Sequence, residues 1–137
     1  MKVLQFFGGI VFLFTILSCS KDNDDQLPDD AVKLKFARQQ SVSDDLLLEI
    51  TNIVDTRCPI GVVCSEAGDV KIEVRVLAVG NIHTKTISFC EMPKANQNID
   101  TIDGHRIEIL RVMPMPYLNN PVDSISDYIV TVVAKKL

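Results

Sequence analysis

Beyond residue 31, apolar side chains return at every second position. Val70, Ile72, Val74 and Val76 alternate with Lys71, Glu73 and Arg75, the pattern of a strand with one face buried and one in water. Val32, Leu34 and Phe36 alternate with Lys33 and Lys35 in the same way. Leu46, Leu48 and Ile50 mark a third strand, and the alternation slips near Asn52 and Ile53, where a bulge is expected. Tyr128, Val130, Val132 and Ala134 interleave with Ile129, Thr131 and Val133, so both faces are largely apolar and a central strand is expected. Weaker candidates run from Ile82 to Phe89 and from Asn98 to Ile102. The second of these joins His105–Val112 through Asp103-Gly104, a dipeptide suited to a tight hairpin. Pro114 and Pro116 close that last strand, because proline has no N–H for a ladder.

No segment of the mature chain carries a helical stripe. Six or seven short strands punctuated by turn residues predict an all-β antiparallel sandwich over residues 31–137. An immunoglobulin-like arrangement is the favoured topology, with a small barrel as the alternative.

The N-terminus follows a different rule. Lys2 precedes an apolar run, Val3–Leu17, that ends in the small residue Ser18 and then Cys19. A charged start, an apolar core and a small residue before the cut define a secretory signal peptide over residues 1–18. The run is shorter than the roughly 20 apolar residues that span a bilayer. Ile16-Leu17-Ser18-Cys19 resembles a bacterial lipobox. The resemblance implies cleavage before Cys19 and diacylation of that cysteine, so that the membrane is a partner through a lipid anchor.

Residues 19–30 are polar and acidic, with little to bury, and read as a flexible linker. The acidic run after Cys19 also resembles the export signal of some Gram-negative lipoproteins that reach the outer face of the outer membrane. A plain spacer facing the periplasm is the alternative. Ser20, not aspartate, follows the cysteine, so the inner-membrane retention signal of some bacteria is absent. An outer-membrane lipid-anchored protein on the periplasmic or cell-surface face is therefore expected.

Charge and composition narrow the partners. The formal charge of −4 and the lack of a basic patch interleaved with aromatics argue against nucleic acid as a ligand class. Tryptophan is absent, which weighs against a sugar-stacking platform.

Candidate chemistry concentrates in residues 55–68. Exported cysteines meet an oxidising compartment, so Cys58 and Cys64 form a natural local disulfide pair, with Pro59 and Gly61 to help the turn. Pairing of Cys90 with either remains an alternative. Closing so short a loop stabilises a domain by about 2 kcal/mol in the chain-entropy picture.

The stretch Asp55-Thr56-Arg57-Cys58-Pro59-Ile60-Gly61-Val62-Val63-Cys64-Ser65-Glu66-Ala67-Gly68 resembles a motif of small secreted or lipid-anchored bacterial proteins of unknown function. That motif reads Asp-Ser-Arg-Cys-Pro, two variable residues, Val, one variable, Cys, one variable, then Trp-Ala-Gly. Asp55, Arg57, Cys58, Pro59, Val62, Cys64, Ala67 and Gly68 match it, while Glu66 stands where the motif has tryptophan. The resemblance implies a small β-sandwich and no established activity. Asp55, Arg57, Pro59, Ala67 and Gly68 are expected to brace the turn, Asp55 and Arg57 as an ion pair.

Other constellations are weaker. A zinc site from Cys58, Cys64, His83, Cys90 and His105 conflicts with the two-to-four-residue spacing of structural zinc cysteines, so neither metal nor cofactor is expected. Cys90 is expected to be a buried small residue at a strand end, and His83 and His105 to be solvated. Asp100 and Asp103 read as hairpin chemistry. No catalytic triad, phosphate loop or metalloprotease signature is present. The expected function is a non-enzymatic binding or adhesion module of the cell envelope, with an accessory or inhibitor subunit as the alternative.

Overall fold

The period-two pattern becomes eight antiparallel strands in a computed structural model that describes residues 27–91 and 97–137. The signal peptide, Cys19 and most of the linker lie outside the described residues. The strands are β1 (Val32–Lys35), β2 (Gln39–Ser43), β3 (Leu46–Asp55), β4 (Val70–Ala78), β5 (Asn81–Phe89), β6 (Ile99–Ile102), β7 (His105–Met113) and β8 (Ile129–Lys136). A single 3-10 turn, Ile125–Asp127, precedes β8, and Ser124 and Asp127 cap it reciprocally.

One four-stranded sheet has the order β1-β8-β7-β6 and the other β2-β3-β4-β5. One apolar cluster draws residues from all eight strands, including Leu34, Val42, Leu48, Val74, Ile87, Ile102, Ile109 and Val132. The two inner faces therefore share one core, as in a sandwich.

The topology departs from the expectation in two respects. Strands adjacent in sequence are adjacent in space within each sheet, and β1 returns beside β8. That meander order lacks the strand exchange of an immunoglobulin-like arrangement. Further, β2 makes an eighth strand. Its sequence, Gln39-Gln40-Ser41-Val42-Ser43, buries only Val42, so hydrophobic alternation could not reveal it. Elsewhere the pattern holds: the register of β3 against β4 shifts between Ile50 and Asn52, and β8 is central, between β1 and β7. Asp103 and Gly104 both take positive φ, 46° and 75°, as a type I′ hairpin turn requires.

Side chains join the sheets where backbone ladders end. The Gln40 amide donates to the Lys33 carbonyl and accepts from the Lys35 N–H, both at 2.7 Å. Asn98 treats Cys90 alike, accepting from its N–H at 2.8 Å and donating to its carbonyl at 3.0 Å. Lys85 on β5 reaches Asp100 and the Thr101 carbonyl on β6, both at 2.8 Å.

His105 corrects another expectation. It is only 2 % exposed because it shares its parity along β7 with the inward residues Ile107 and Ile109. Its Nδ1 lies 3.0 Å from the Asp103 carbonyl. Its Nε2 is 2.8 Å from Asp45 Oδ1, but off hydrogen-bond alignment, so the two are close without a directed bond. Lys136 hydrogen-bonds Asp45 and holds that carboxyl down at about 2. His83 is exposed, as expected.

Candidate functional site

The loop between β3 and β4 stands at the pole where β3 and β7 end and β8 begins. Val32 pairs with Val132 and Lys35 with Ile129, so the chain enters β1 from the opposite side, towards the end of β8. Cys58 and Cys64 are bonded, with their Cα atoms 6.0 Å apart. Cys90 lies just past β5, half-buried, with its sulfur 3.9 Å from the Gly68 carbonyl and outside that pair.

Arg57 anchors this pole. Only 4 % exposed, it aims its guanidinium at the Asp55 carboxylate: Nε donates to Oδ1 at 2.9 Å and Nη2 to Oδ2 at 2.6 Å. Nη1 donates to the Val112 carbonyl at 2.9 Å and to Glu91 at 3.2 Å, and Nη2 also donates to the Pro114 carbonyl at 2.8 Å. Asp55 accepts in addition from the Arg57 backbone N–H at 3.0 Å and from the Tyr128 hydroxyl at 2.9 Å. Every guanidinium N–H thus has a partner, the condition under which a buried charge is tolerated. Burial pushes the Asp55 carboxyl up, yet the hydrogen bonds from Arg57 and Tyr128 outweigh it and hold it below its ordinary value. The brace ties β3 to the segment after β7 and to the start of β8.

Tyr128 lets pH read the network. Burial, together with its bond to Asp55, raises the phenol from 10.0 to about 12. The folded chain keeps a proton that the unfolded chain releases first, so stability falls as pH rises from about 10 to about 12. In urea titrations at stepped pH, Tyr128→Phe should flatten that slope and lower neutral-pH stability by about 1 kcal/mol. An unchanged slope would rule out the Asp55 bond as its source.

The rest of the loop is fitted to this foundation. Cys58 N–H donates to the Ala67 carbonyl at 2.9 Å and Thr56 N–H to the Asp69 carbonyl at 2.8 Å, which prolongs the β3–β4 pairing. Pro59 begins a turn closed by Val62 N–H at 3.2 Å, and Gly61 takes a φ of +94° there. Glu66, in the tryptophan position of the motif, is exposed and lines a depression of about 600 Å³ with Gly68, Asp69, Ser88 and Cys90. Among the described residues no group of three or more His, Cys, Asp or Glu is placed to hold a metal ion.

The tip of the loop is apolar. Ile60, Val62, Tyr117 and Leu118 are 39–59 % exposed, and Val63 is wholly in solvent. Ile60 N–H donates to the Pro116 carbonyl at 2.9 Å, and Leu118 N–H donates to the Ile60 carbonyl at 3.1 Å. These two bonds fasten the disulfide loop to the 117–120 turn. Between them runs an open groove of about 420 Å³, lined by Ile60, Gly61, Tyr117, Leu118, Asn119 and Asn120. Tyr117 and Asn120 also border a smaller depression of about 180 Å³ that holds Asp123 and Asp127.

Sequence reasoning located the brace residues Asp55 and Arg57 but missed Tyr128, Glu91 and the two carbonyls that complete the site. It also missed the groove. The sign was present: Ile60, Val62, Val63, Tyr117 and Leu118 are large apolar residues in segments that turn chemistry marks as loops. No protein-family model matches this chain, nor does any curated protein or solved structure.

Proposed function

We propose that the protein is a lipid-anchored, non-enzymatic binding module of the cell envelope, which engages a partner through the apolar tip of its disulfide loop. The observation that carries this reading is an exposed apolar surface, Ile60, Val62, Val63, Tyr117 and Leu118, at the pole opposite the entry into β1. Folding gains nothing from a fully exposed Val63, whereas patches of this kind mark interaction sites. The disulfide, the Arg57 brace and the two inter-loop bonds fix the surface beforehand, which lowers the entropy cost of association.

The lipobox-like Cys19 and the acidic linker supply the placement, and the likeness to small lipid-anchored bacterial proteins agrees with it. The linker from Cys19 to Ala31 can extend about 40 Å, and ten-residue β3 adds about 30 Å. The tip then stands clear of the bilayer that holds the anchor. Outer-membrane attachment follows the same proposal, with the two acyl chains contributing ~0.8 kcal/mol per buried methylene.

Palmitate labelling of the full-length protein should disappear in Cys19→Ala. A photoreactive residue at position 63 should crosslink to an envelope protein in intact cells. A label that persists in Cys19→Ala removes the anchor, and the absence of any adduct from position 63 removes the binding surface.

A further inference from the structure

We infer that the groove between the disulfide loop and the 117–120 turn receives a polypeptide segment carrying a bulky apolar side chain next to a lysine or arginine. This rests on the binding-module reading and deepens it by naming the ligand chemistry. Three observations converge.

The groove is lined by the large apolar side chains of Ile60, Tyr117 and Leu118, with Gly61, Asn119 and Asn120 completing it. It selects an apolar group by the area it can cover. The adjoining depression shares Tyr117 and Asn120 and contains two exposed carboxylates, Asp123 and Asp127. Asp127 is partly engaged, accepting from the Ser124 N–H at 3.2 Å. Asp123 is exposed and faces solvent. A segment seated in the groove meets these carboxylates with its neighbouring side chain, and the complementary charge is positive.

The disulfide loop adds a further carboxylate at this pole. Glu66 is exposed at this pole, Glu91 is exposed but ion-paired with buried Arg57 at 3.2 Å, and Lys71, exposed opposite Val54, carries the other sign. Carboxylates beside the groove oppose the anionic surface of a phospholipid bilayer. A basic, apolar polypeptide therefore fits this pole better than a membrane does.

The test is panning of the lipidated full-length chain, held in phospholipid nanodiscs, against a random peptide library. Enriched peptides should pair a bulky apolar residue with lysine or arginine. Leu118→Asp should weaken their binding roughly tenfold, as loss of a groove anchor does. Asp123→Asn should weaken it roughly threefold, and high salt should abolish that difference. Both side chains are in solvent, so thermal unfolding of the two variants should match that of the parent.

Peptides enriched equally by the Leu118→Asp variant, or a consensus of acidic residues, would overturn the inference. Crosslinking from position 63 separates the layers. An envelope protein captured there while panning yields no apolar–basic consensus leaves the binding module standing and removes this ligand chemistry. A phospholipid adduct removes both.

Discussion

Arg57→Ala should lower stability by about 3–5 kcal/mol, the cost of stranding one member of a buried ion pair. The Asp55 side chain is 7 % exposed, so removal of the guanidinium leaves a carboxylate with only the Tyr128 hydroxyl and one backbone N–H. The carbonyls of Val112 and Pro114 lose their donors at the same time. Urea denaturation should show a lower midpoint at an unchanged slope, since the surface exposed on unfolding stays the same. Arg57→Lys should recover little, because one compact ammonium does not reproduce the planar fork that reaches Asp55, Val112 and Pro114 together. A loss below about 1 kcal/mol would mean that the pair behaves as a solvent-screened surface bridge. The carboxyl of Asp55 titrates below its ordinary value, so this stability persists into moderate acid and is lost as pH falls through that lowered value.

Gly68→Ala should be nearly as damaging, at about 3 kcal/mol from strain and overpacking combined. Gly68 has a φ of +71°, and a Cβ there would lie 1.9 Å from the Thr56 carbonyl oxygen and 2.6 Å from its carbon. Both are backbone atoms, so relief requires the two arms of the loop to part. That movement breaks the pairing of Thr56 with Asp69 and of Cys58 with Ala67. Gly104 supplies the control. Its φ is +75°, but a Cβ would meet nothing within 4 Å, so Gly104→Ala should cost only about 1 kcal/mol. Comparison of the two melting curves isolates steric closure from backbone preference, and equal losses would refute the close approach at Gly68.

The strands announced themselves where one face is buried. Val70–Val76 and Leu46–Ile50 alternate because water and core lie on opposite sides of the same ribbon, and both became long central strands. β2 stayed hidden because it lies at a sheet edge and is held by polar side chains that resemble a loop. His105 was misassigned for a different reason: its polarity masked a parity that Ile107 and Ile109 already defined. In the candidate site, the local elements were legible. Asp55, Arg57 and the disulfide lie within ten residues of one another. Tyr128 is separated from Asp55 by 73 residues, and the order in which strands pair decides such a meeting. The groove likewise needs Ile60 and Leu118 brought together by two backbone bonds, which no local pattern encodes. The meander itself was beyond reach, since sandwiches of different connectivity share the same alternation.

The amides of Gln40 and Asn98 have a consequence for crowding. A bare strand margin offers its peptide groups to any passing chain and can template fibrils. Here a side-chain amide already occupies Lys33 and Lys35 on the β1 margin and Cys90 just beyond the end of β5. Molecules packed side by side therefore find the peptide groups of Lys33 and Lys35 on the β1 margin already taken.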